Sequence, residues 1–351
     1  MTSDRVKNSP ILKALFNYGI SAALAIVFLY IAFHNVNLPE VIDLVSHASI
    51  IWIIIFICSV YLGHIIRAVR WKVILNTIKP DASLKHLFGS LMIGYGVNCV
   101  TPKLGEITRA VFLGKWENLS RSSMLGTVIV ERVIDVIALG LAVLVSAFMW
   151  RENLYLTLPW LESTLYLGGL VMLGMVILIY LTIKFKEKFY GVIIKLFSKI
   201  SEKWANKLGY IFEMLTQGFS SLKGAKNYLL TISLTIILLL VYALSSYIGF
   251  LTLYMNEIKD VNFEMGWVLM SIAAIGVVIP TPGATGSYHA IAKSTLVLLF
   301  SFGESISAAY AFLTHIISYF IFIFTALFIF FVFNNKQNNL IKISDSELNN
   351  S

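Results

Sequence analysis

Six apolar stretches, each long enough to cross a membrane as a helix, constrain this chain more than any other feature. A spanning helix needs about 20 mostly apolar residues. The stretches that meet this requirement are residues 14–33, 49–66, 124–149, 161–183, 229–253 and 305–333. Because 58% of the 351 residues are hydrophobic and only 13% are charged, the composition excludes an ordinary soluble enzyme.

Two further apolar stretches are interrupted by residues that break helices. Residues 86–101 are short and contain several glycines, and residues 266–300 contain the run Pro280-Thr281-Pro282-Gly283-Ala284-Thr285-Gly286. Irregular backbone is tolerated at membrane depth where it is buried in protein or lines a cavity. We therefore predict two re-entrant helical hairpins. In the first, residues 86–101 enter the membrane and residues 102–114 return.

The positions of lysine and arginine predict how the chain is oriented. Most of these 27 residues lie near the two termini, in residues 67–85 and 103–121, and in the loop 184–228. Cytoplasmic segments carry such an excess of positive charge. We therefore expect a multi-pass protein of the plasma (inner) membrane with both termini in the cytoplasm. The first hairpin then enters from the cytoplasmic face and the second from the outer face.

The two halves of the chain repeat the same pattern in opposite orientations. Residues 14–150 and 160–333 each contain two spans, one re-entrant element and one further span. We predict an all-α polytopic membrane protein with an inverted-topology repeat, about six full spans and two hairpins, within one transmembrane domain, 1–335. Such repeats are typical of secondary transporters. The alternative is that Thr-Pro and glycine pairs recur by chance in helix breaks.

Two segments lie outside this membrane pattern. Within the loop 184–228, apolar residues recur every three to four positions and lysines occupy the other faces. This predicts an amphipathic helix that lies in the inner membrane interface or packs on the cytoplasmic ends of the bundle. The tail, residues 336–351, is rich in asparagine and is predicted to be disordered.

Ionisable side chains at membrane depth are costly and are functional candidates. On the first hairpin and the following span, the candidates for ligand binding are Asn98, Pro102, Glu106, Arg109, Glu131, Arg132 and Asp135. For Glu131 and Asp135, an internal network of ion pairs is an equally good interpretation. We expect Arg109 and Arg132 to contact an anionic ligand in one polar cavity with Glu106 and Glu131, because an unpaired arginine is costly without an anion.

The second hairpin supplies a different set of candidates. Its breaking residues free backbone N–H groups near the start of the next helix, where anions are favoured. The candidates here are Pro280, Pro282, Gly283, Gly286, Ser287, His289 and, on the last span, His315. The alternative for each histidine is a packing residue with one hydrogen bond. Two histidines near a broken helix favour a titratable polar site.

Four blocks together resemble the lysylphosphatidylglycerol synthase transmembrane-region family, whose members are flippase-like membrane proteins. The blocks are Arg67-x-x-Arg70-Trp71-x-x-x-Leu75, Asn98-x-x-x-Pro102-x-x-Gly105-Glu106-x-x-Arg109-Ala110, Glu131-Arg132-x-x-Asp135 and Pro280-Thr281-Pro282-Gly283-x-x-Gly286. The chain departs from the family pattern at Ala284 (often Gly), His289 (often Glu) and His315 (often Arg). The resemblance covers the membrane half of lipid-aminoacylating members and not their soluble transferase domain, so lysyl transfer is not expected.

Three functions remain open from the sequence. The first is a flippase-like protein that binds or translocates an amphiphile with an anionic head group, with membrane lipids as partners. The second is an intramembrane enzyme that uses Ser287 with a histidine. The third is a non-transporting membrane protein that binds anionic lipid. No cofactor, metal or nucleic acid is expected, and the oligomeric state stays open.

Overall fold

The computed structural model describes residues 10–150 and 224–348, with a few isolated positions between them. All regular structure in these ranges is helical, which confirms the predicted all-α class. The first half contains α1 (Pro10–Phe33), α2 (Leu38–Ser46), α3 (Ile50–Leu75), α4 (Leu84–Val100), α5 (Gly105–Trp116) and α6 (Arg121–Met149). The second contains α7 (Ala225–Thr252), α8 (Met255–Ile258), α9 (Phe263–Val278), α10 (Ser287–Leu298) and α11 (Glu304–Leu348), with a 3₁₀ turn at Pro282–Ala284.

The helices are those of a polytopic membrane protein. Within the described ranges, three are long and apolar enough to cross a membrane, namely α3, α7 and the Glu304–Phe333 part of α11. A fourth span arises if α1 and α2, which meet at a bend of 86°, count as one. The predicted number of six spans stays a prediction. Residues 161–183 and the predicted amphipathic helix in 184–228 lie outside the described residues.

Both broken stretches fold as helical hairpins with arms of matching length. The arms of the first, α4 and α5, have 17 and 12 residues, and those of the second, α9 and α10, have 16 and 12. Glycine lets the arms approach closely. A Cβ at Gly105 would collide with the carbonyl oxygen of Gly94, and a Cβ at Gly276 would lie 2.7 Å from the carbonyl oxygen of Ser287.

Equivalent helices of the two halves pack in equivalent ways. The helices that precede the hairpins, α3 and α7, pack against each other. The first arm of each hairpin contacts the last helix of the other half, α4 with α11 and α9 with α6. The second arm of each contacts the last helix of its own half, α5 with α6 and α10 with α11. The inverted orientation of the halves across a membrane stays a prediction.

Four element boundaries differ from the sequence-based expectation. Helix α2 was not expected, and Pro39 and Glu40 in its first turn explain its start. Helix α3 continues to Leu75, so Arg67 and Arg70 belong to a helix and not to a cytoplasmic loop. Helix α7 begins at Ala225, inside the loop predicted as 184–228. Helix α11 continues to Leu348, so the tail predicted as disordered is helical up to that residue, because no proline or glycine follows Gly303.

Three apolar clusters of the described residues pack against the hairpins, and the third joins α4 to α11 through Met92, Ile93, Ile321 and Ile329. The first cluster joins α7, α9, α10 and α11 around the buried Phe250, Phe300 and Tyr310. The second joins α3, α4, α5 and α6 around Trp71 and Leu113, both fully buried. This second cluster packs directly against a set of buried charged side chains.

Candidate functional site

The end of α3 and the middle of α6 meet in a cluster of buried charges next to the first hairpin. The arginines of this cluster are Arg67 and Arg70 on α3, Arg109 on α5 and Arg132 on α6, and its carboxylates are Glu131 and Asp135 on α6. Residues three or four apart share one helix face. The spacing therefore turns both α3 arginines towards both α6 carboxylates. We call these six residues the arginine cluster.

Glu131 is the centre of the arginine cluster and is fully buried. One of its oxygens, Oε1, accepts from Arg67 Nε at 2.7 Å, and the other, Oε2, accepts from Arg109 Nη1 at 2.7 Å. Arg67 and Arg70 also donate to Asp135. The internal network that the sequence offered as the alternative for Glu131 and Asp135 is therefore present in the structure.

Helix α7 and Trp71 complete the surroundings of the cluster. Arg70 Nη1 donates to Thr235 Oγ1 at 3.1 Å, and Arg67 Nη1 donates to the Tyr242 hydroxyl at 3.3 Å. The guanidinium of Arg109 lies 4.8 Å from the centre of the Trp71 ring, a cation–π contact. Side chains from α3, α5, α6 and α7 thus hold the charges in fixed positions.

Positive charge exceeds negative charge within the cluster. Four guanidinium groups share two carboxylates, and three buried nitrogens have no hydrogen-bond partner among the described residues, namely Arg70 Nε, Arg109 Nη2 and Arg132 Nε. A buried donor without a partner costs free energy, and more so when it is charged. An anion placed against Arg109 and Arg132 would remove that cost.

A small polar pocket opens beside Arg109 and Arg132. Its lining residues are Leu91, Gly94, Tyr95, Asn98, Gly105, Glu106, Arg109 and Arg132. The volume of about 10 Å³ gives room for about one water molecule. The Arg132 side chain is 36% exposed and that of Arg109 is 3% exposed, so Arg132 is the more accessible of the two. Glu106 shares this pocket as predicted, whereas Glu131 lies behind the arginines and does not line it.

Asn98 shapes the pocket from the first arm of the hairpin. Its Oδ1 accepts from the backbone N–H of Gly105 at 2.8 Å, and its Nδ2 lies 3.5 Å from Glu106 Oε2. The first N–H groups of a helix have no partner within the helix, so Asn98 supplies one for α5. Pro102 is half-buried in the turn between the arms and does not line the pocket.

The hydroxyl of Ser287 is not available as a nucleophile. It is fully buried, and its hydroxyl donates to the Gly276 carbonyl at 2.7 Å and lies 2.9 Å from the Thr281 hydroxyl. No hydrogen bond joins it to His289 or His315 within the described residues. The predicted Ser–His pair is therefore not formed, whereas the predicted anion site at the backbone N–H groups near Ser287 stays a prediction. The sequence could not show that this small residue packs directly on Gly276.

The structure does bring His289 and His315 to the break in the second hairpin. His289 Nδ1 accepts from the Gly286 N–H at 3.2 Å, and His315 Nε2 donates to the Gly283 carbonyl at 2.9 Å. Their ring centres lie 4.5 Å apart. Gly283 and Gly286 have φ values of +57° and +84°, in the region that favours glycine. Pro280 is exposed just before this turn, and Pro282 begins it.

The tips of the two hairpins touch each other. A Cβ at Gly283, in the turn of the second hairpin, would lie 3.2 Å from Cys99 Cα near the end of α4. Tyr319 on α11 supports this contact, because its hydroxyl donates to the Cys99 carbonyl at 2.5 Å. Cys99 directly follows Asn98, which lines the pocket. The Gly283 carbonyl accepts a hydrogen bond from His315. The candidate residues of the first hairpin therefore lie on one side of this contact between the tips, and the two histidines lie on the other side. The two groups do not form a single site.

Sequence reasoning counted Arg67 and Arg70 among the cytoplasmic charges and so missed their role in the cluster. The sequence did contain a signal for this role, because the two arginines lie three residues apart and directly follow the apolar run of α3. Thr235 and Tyr242 carried no such signal, since hydroxyl residues are common in apolar helices. In the described ranges, no group of three or more His, Cys, Asp or Glu side chains is placed to hold a metal ion.

Comparison with known families identifies the family of this chain. The family described as "Lysylphosphatidylglycerol synthase TM region" matches residues 18–326. The chain belongs to this family. The match confirms the resemblance seen in the sequence motifs and identifies a multi-pass membrane protein.

The curated relatives are archaeal membrane proteins. The chain is 26% identical to a UPF0104 membrane protein of Methanocaldococcus jannaschii over 322 residues, which cover 84% of this chain and 89% of the relative. It is 28% identical to a UPF0104 membrane protein of Pyrococcus horikoshii over 176 residues, 48% of this chain and 50% of the relative. No solved structure matches the chain significantly.

Proposed function

We propose that this protein binds an amphiphile with a phosphate-bearing, anionic head group and translocates it across the plasma (inner) membrane. The observation that carries the proposal is the excess of guanidinium groups in the arginine cluster. Within the part of the chain that the structure describes, Arg109 Nη2 and Arg132 Nε have no hydrogen-bond partner, and both residues line the pocket at the first hairpin. The family name supports a role in handling phospholipid.

Phosphate is the head group whose charge and hydrogen-bond acceptors best match the arginines of the pocket. The planar guanidinium fork matches the oxygens of phosphate, and hydrogen bonds between two ionised groups are stronger than neutral ones. A neutral or cationic head group would leave the excess positive charge unbalanced. Glu106 adds one negative charge at the same pocket. We expect it to set how tightly the phosphate is held.

Binding requires the pocket to widen from the form seen here. A volume of about 10 Å³ admits about one water molecule and no phosphate group. In transporters with inverted repeats, the halves rock against each other around a site near the middle of the membrane. We propose that separation of α5 from α6 opens the pocket to the inner leaflet, while the acyl chains stay in the bilayer.

A reconstituted vesicle assay tests this function. Fluorescent lipids with phosphatidylglycerol or uncharged head groups are incorporated, and a membrane-impermeant quencher reports their movement between leaflets. We expect the wild-type protein to move the phosphate lipid and Arg132→Gln to slow this movement at least fivefold. Lys115→Gln, at an exposed position on the neighbouring helix α5, is the control and should retain wild-type rates.

Two results would contradict the proposal. Equal rates for Arg132→Gln and Lys115→Gln would separate transport from the arginine pocket. Specific binding of the phosphate lipid without movement would show a lipid-binding protein that does not transport. A serine-reactive probe should not label Ser287, because its hydroxyl is buried, and we expect no covalent chemistry at that residue.

A further inference from the structure

A second cavity lies away from the arginine cluster, between α1 and α2 on one side and α10 and α11 on the other. Its volume is about 880 Å³, and ligand pockets range from about 300 to 1,000 Å³. Apolar side chains such as Leu29, Val41 and Ile316 form most of its wall, and none of its lining side chains is Asp, Glu, Lys or Arg. A charged head group would therefore find no counter-charge in this cavity.

The polar lining of the cavity includes His289 and His315. In a neutral imidazole, one ring nitrogen donates a hydrogen bond and the other accepts one. His289 Nδ1 accepts from the Gly286 N–H, so Nε2 carries the hydrogen and is a donor. His315 Nε2 donates to the Gly283 carbonyl, so Nδ1 is an acceptor. Neither of these remaining nitrogens has a hydrogen-bond partner among the described residues.

The two rings thus offer one donor and one acceptor close together. Their ring centres are 4.5 Å apart and both residues line the cavity, so the two imidazoles are close enough for one small polar group to be placed between them. A hydroxyl both donates and accepts, which matches this pair. A deprotonated phosphate or carboxylate has no hydrogen to give to His315 Nδ1, and an alkane satisfies neither nitrogen. The sequence favoured a titratable polar site at these histidines, and the donor and acceptor described here suit a neutral hydroxyl group.

We propose that this cavity binds a neutral, long-chain alcohol, with the hydroxyl between His289 and His315 and the chain along the apolar wall. The hydroxyl donates to His315 Nδ1 and accepts from His289 Nε2–H. The site is separate from the phosphate pocket, which is on the other side of the contact between the hairpin tips. The proposal does not depend on the proposed function, and either can fail alone.

Photolabelling of the purified full-length protein tests the site. The probe is hexadecanol with a diazirine on its chain, and the competitors are 1-hexadecanol, methyl hexadecyl ether and hexadecyl phosphate. We expect 1-hexadecanol to block labelling and the ether, which accepts but cannot donate, to need at least tenfold higher concentration. Hexadecyl phosphate competing as well as the alcohol would overturn the proposal.

Variants locate the labelling within the cavity. His315→Phe and His289→Phe should weaken alcohol binding at least fivefold, whereas His47→Phe, at the exposed end of α2, should not. Because the first two variants also lose a bond to the backbone, Val45→Trp provides a second test that only fills the cavity. Wild-type labelling of folded Val45→Trp would contradict the proposal. Arg132→Gln should leave alcohol labelling unchanged, which separates this site from the phosphate pocket.

Discussion

Arg109 donates from Nη1 to Glu131 Oε2 over 2.7 Å, and this bond joins the return arm of the first hairpin to α6. The same carboxylate accepts from Arg67 on α3 through its other oxygen. One buried acid therefore fixes three helices. Nη2 of Arg109 has no hydrogen-bond partner in the described part of the chain, and Arg109 also lines the polar pocket. The structural network and the proposed ligand site thus share two guanidinium groups, those of Arg109 and Arg132.

Replacing Glu131 should destabilise the protein strongly. In Glu131→Gln, four arginines lose their central counter-charge, and breaking a buried ion pair typically costs about 3–5 kcal/mol. Thermal unfolding in detergent should show a clear fall in Tm. Glu257→Gln removes an exposed carboxylate and should change stability by less than about 0.5 kcal/mol. Equal Tm values for the two variants would show that the network contributes little to the fold.

Gly105 should not tolerate a side chain. A methyl group there would collide with the Gly94 carbonyl, which belongs to the backbone of the facing arm and cannot rotate away. We expect Gly105→Ala to lower the free energy of unfolding by about 1–3 kcal/mol. Gly19→Ala is the control, because no atom lies within 4 Å of its added Cβ in α1. A Gly105→Ala protein as stable as Gly19→Ala would contradict the close packing of the hairpin.

Removing the negative charge of Glu106 should strengthen phosphate binding. Glu106 lines the pocket with Arg109 and Arg132, and a like charge close to an anionic ligand opposes its binding. We expect Glu106→Gln to bind phosphatidylglycerol several times more tightly than the wild-type protein, with a smaller change at high salt. Titration of lipid into protein in neutral nanodiscs measures this. Weaker binding in the variant would indicate that Glu106 contacts the ligand favourably.

The orientation of the chain can be tested in intact cells. Single cysteines at Lys199 and Asp260, in a background without Cys58 and Cys99, are exposed to a membrane-impermeant maleimide. The excess of positive charge predicts that residue 260 is labelled from outside and that residue 199 is labelled only after permeabilisation. The reverse labelling pattern would show that the chain has the opposite orientation in the membrane and that the first hairpin enters from the outer face.

The sequence predicted the helical class and both hairpins because their signals are local. Long apolar runs and proline–glycine breaks act within a few residues of where they occur. The structure brings Arg109 and Glu131 into contact for a related reason, since buried charges must find partners, but Glu131 does not line the cavity predicted for it.

What the sequence missed depends on contacts between distant segments. Arg67 belongs to the cluster because α3 packs beside α6, and no local pattern states that. Ser287 lost its predicted role because its hydroxyl meets the carbonyl of Gly276 on the opposite arm. The separation of His315 from Arg109 follows from the contact between the hairpin tips, at Cys99 and Gly283.

The most direct test of the account compares the affinity of wild type, Arg132→Gln and Lys115→Gln for phosphatidylglycerol and for diacylglycerol, measured by native mass spectrometry on the purified protein. Arg132 is the most exposed arginine of the cluster, and the two carboxylates that it contacts also pair with the other arginines. Replacing Arg132 should therefore leave the Tm nearly unchanged. We predict that Arg132→Gln weakens binding of phosphatidylglycerol at least tenfold and binding of diacylglycerol less than twofold, with Lys115→Gln like wild type. Unchanged binding of phosphatidylglycerol by a folded Arg132→Gln protein would contradict the central claim that this pocket holds the phosphate.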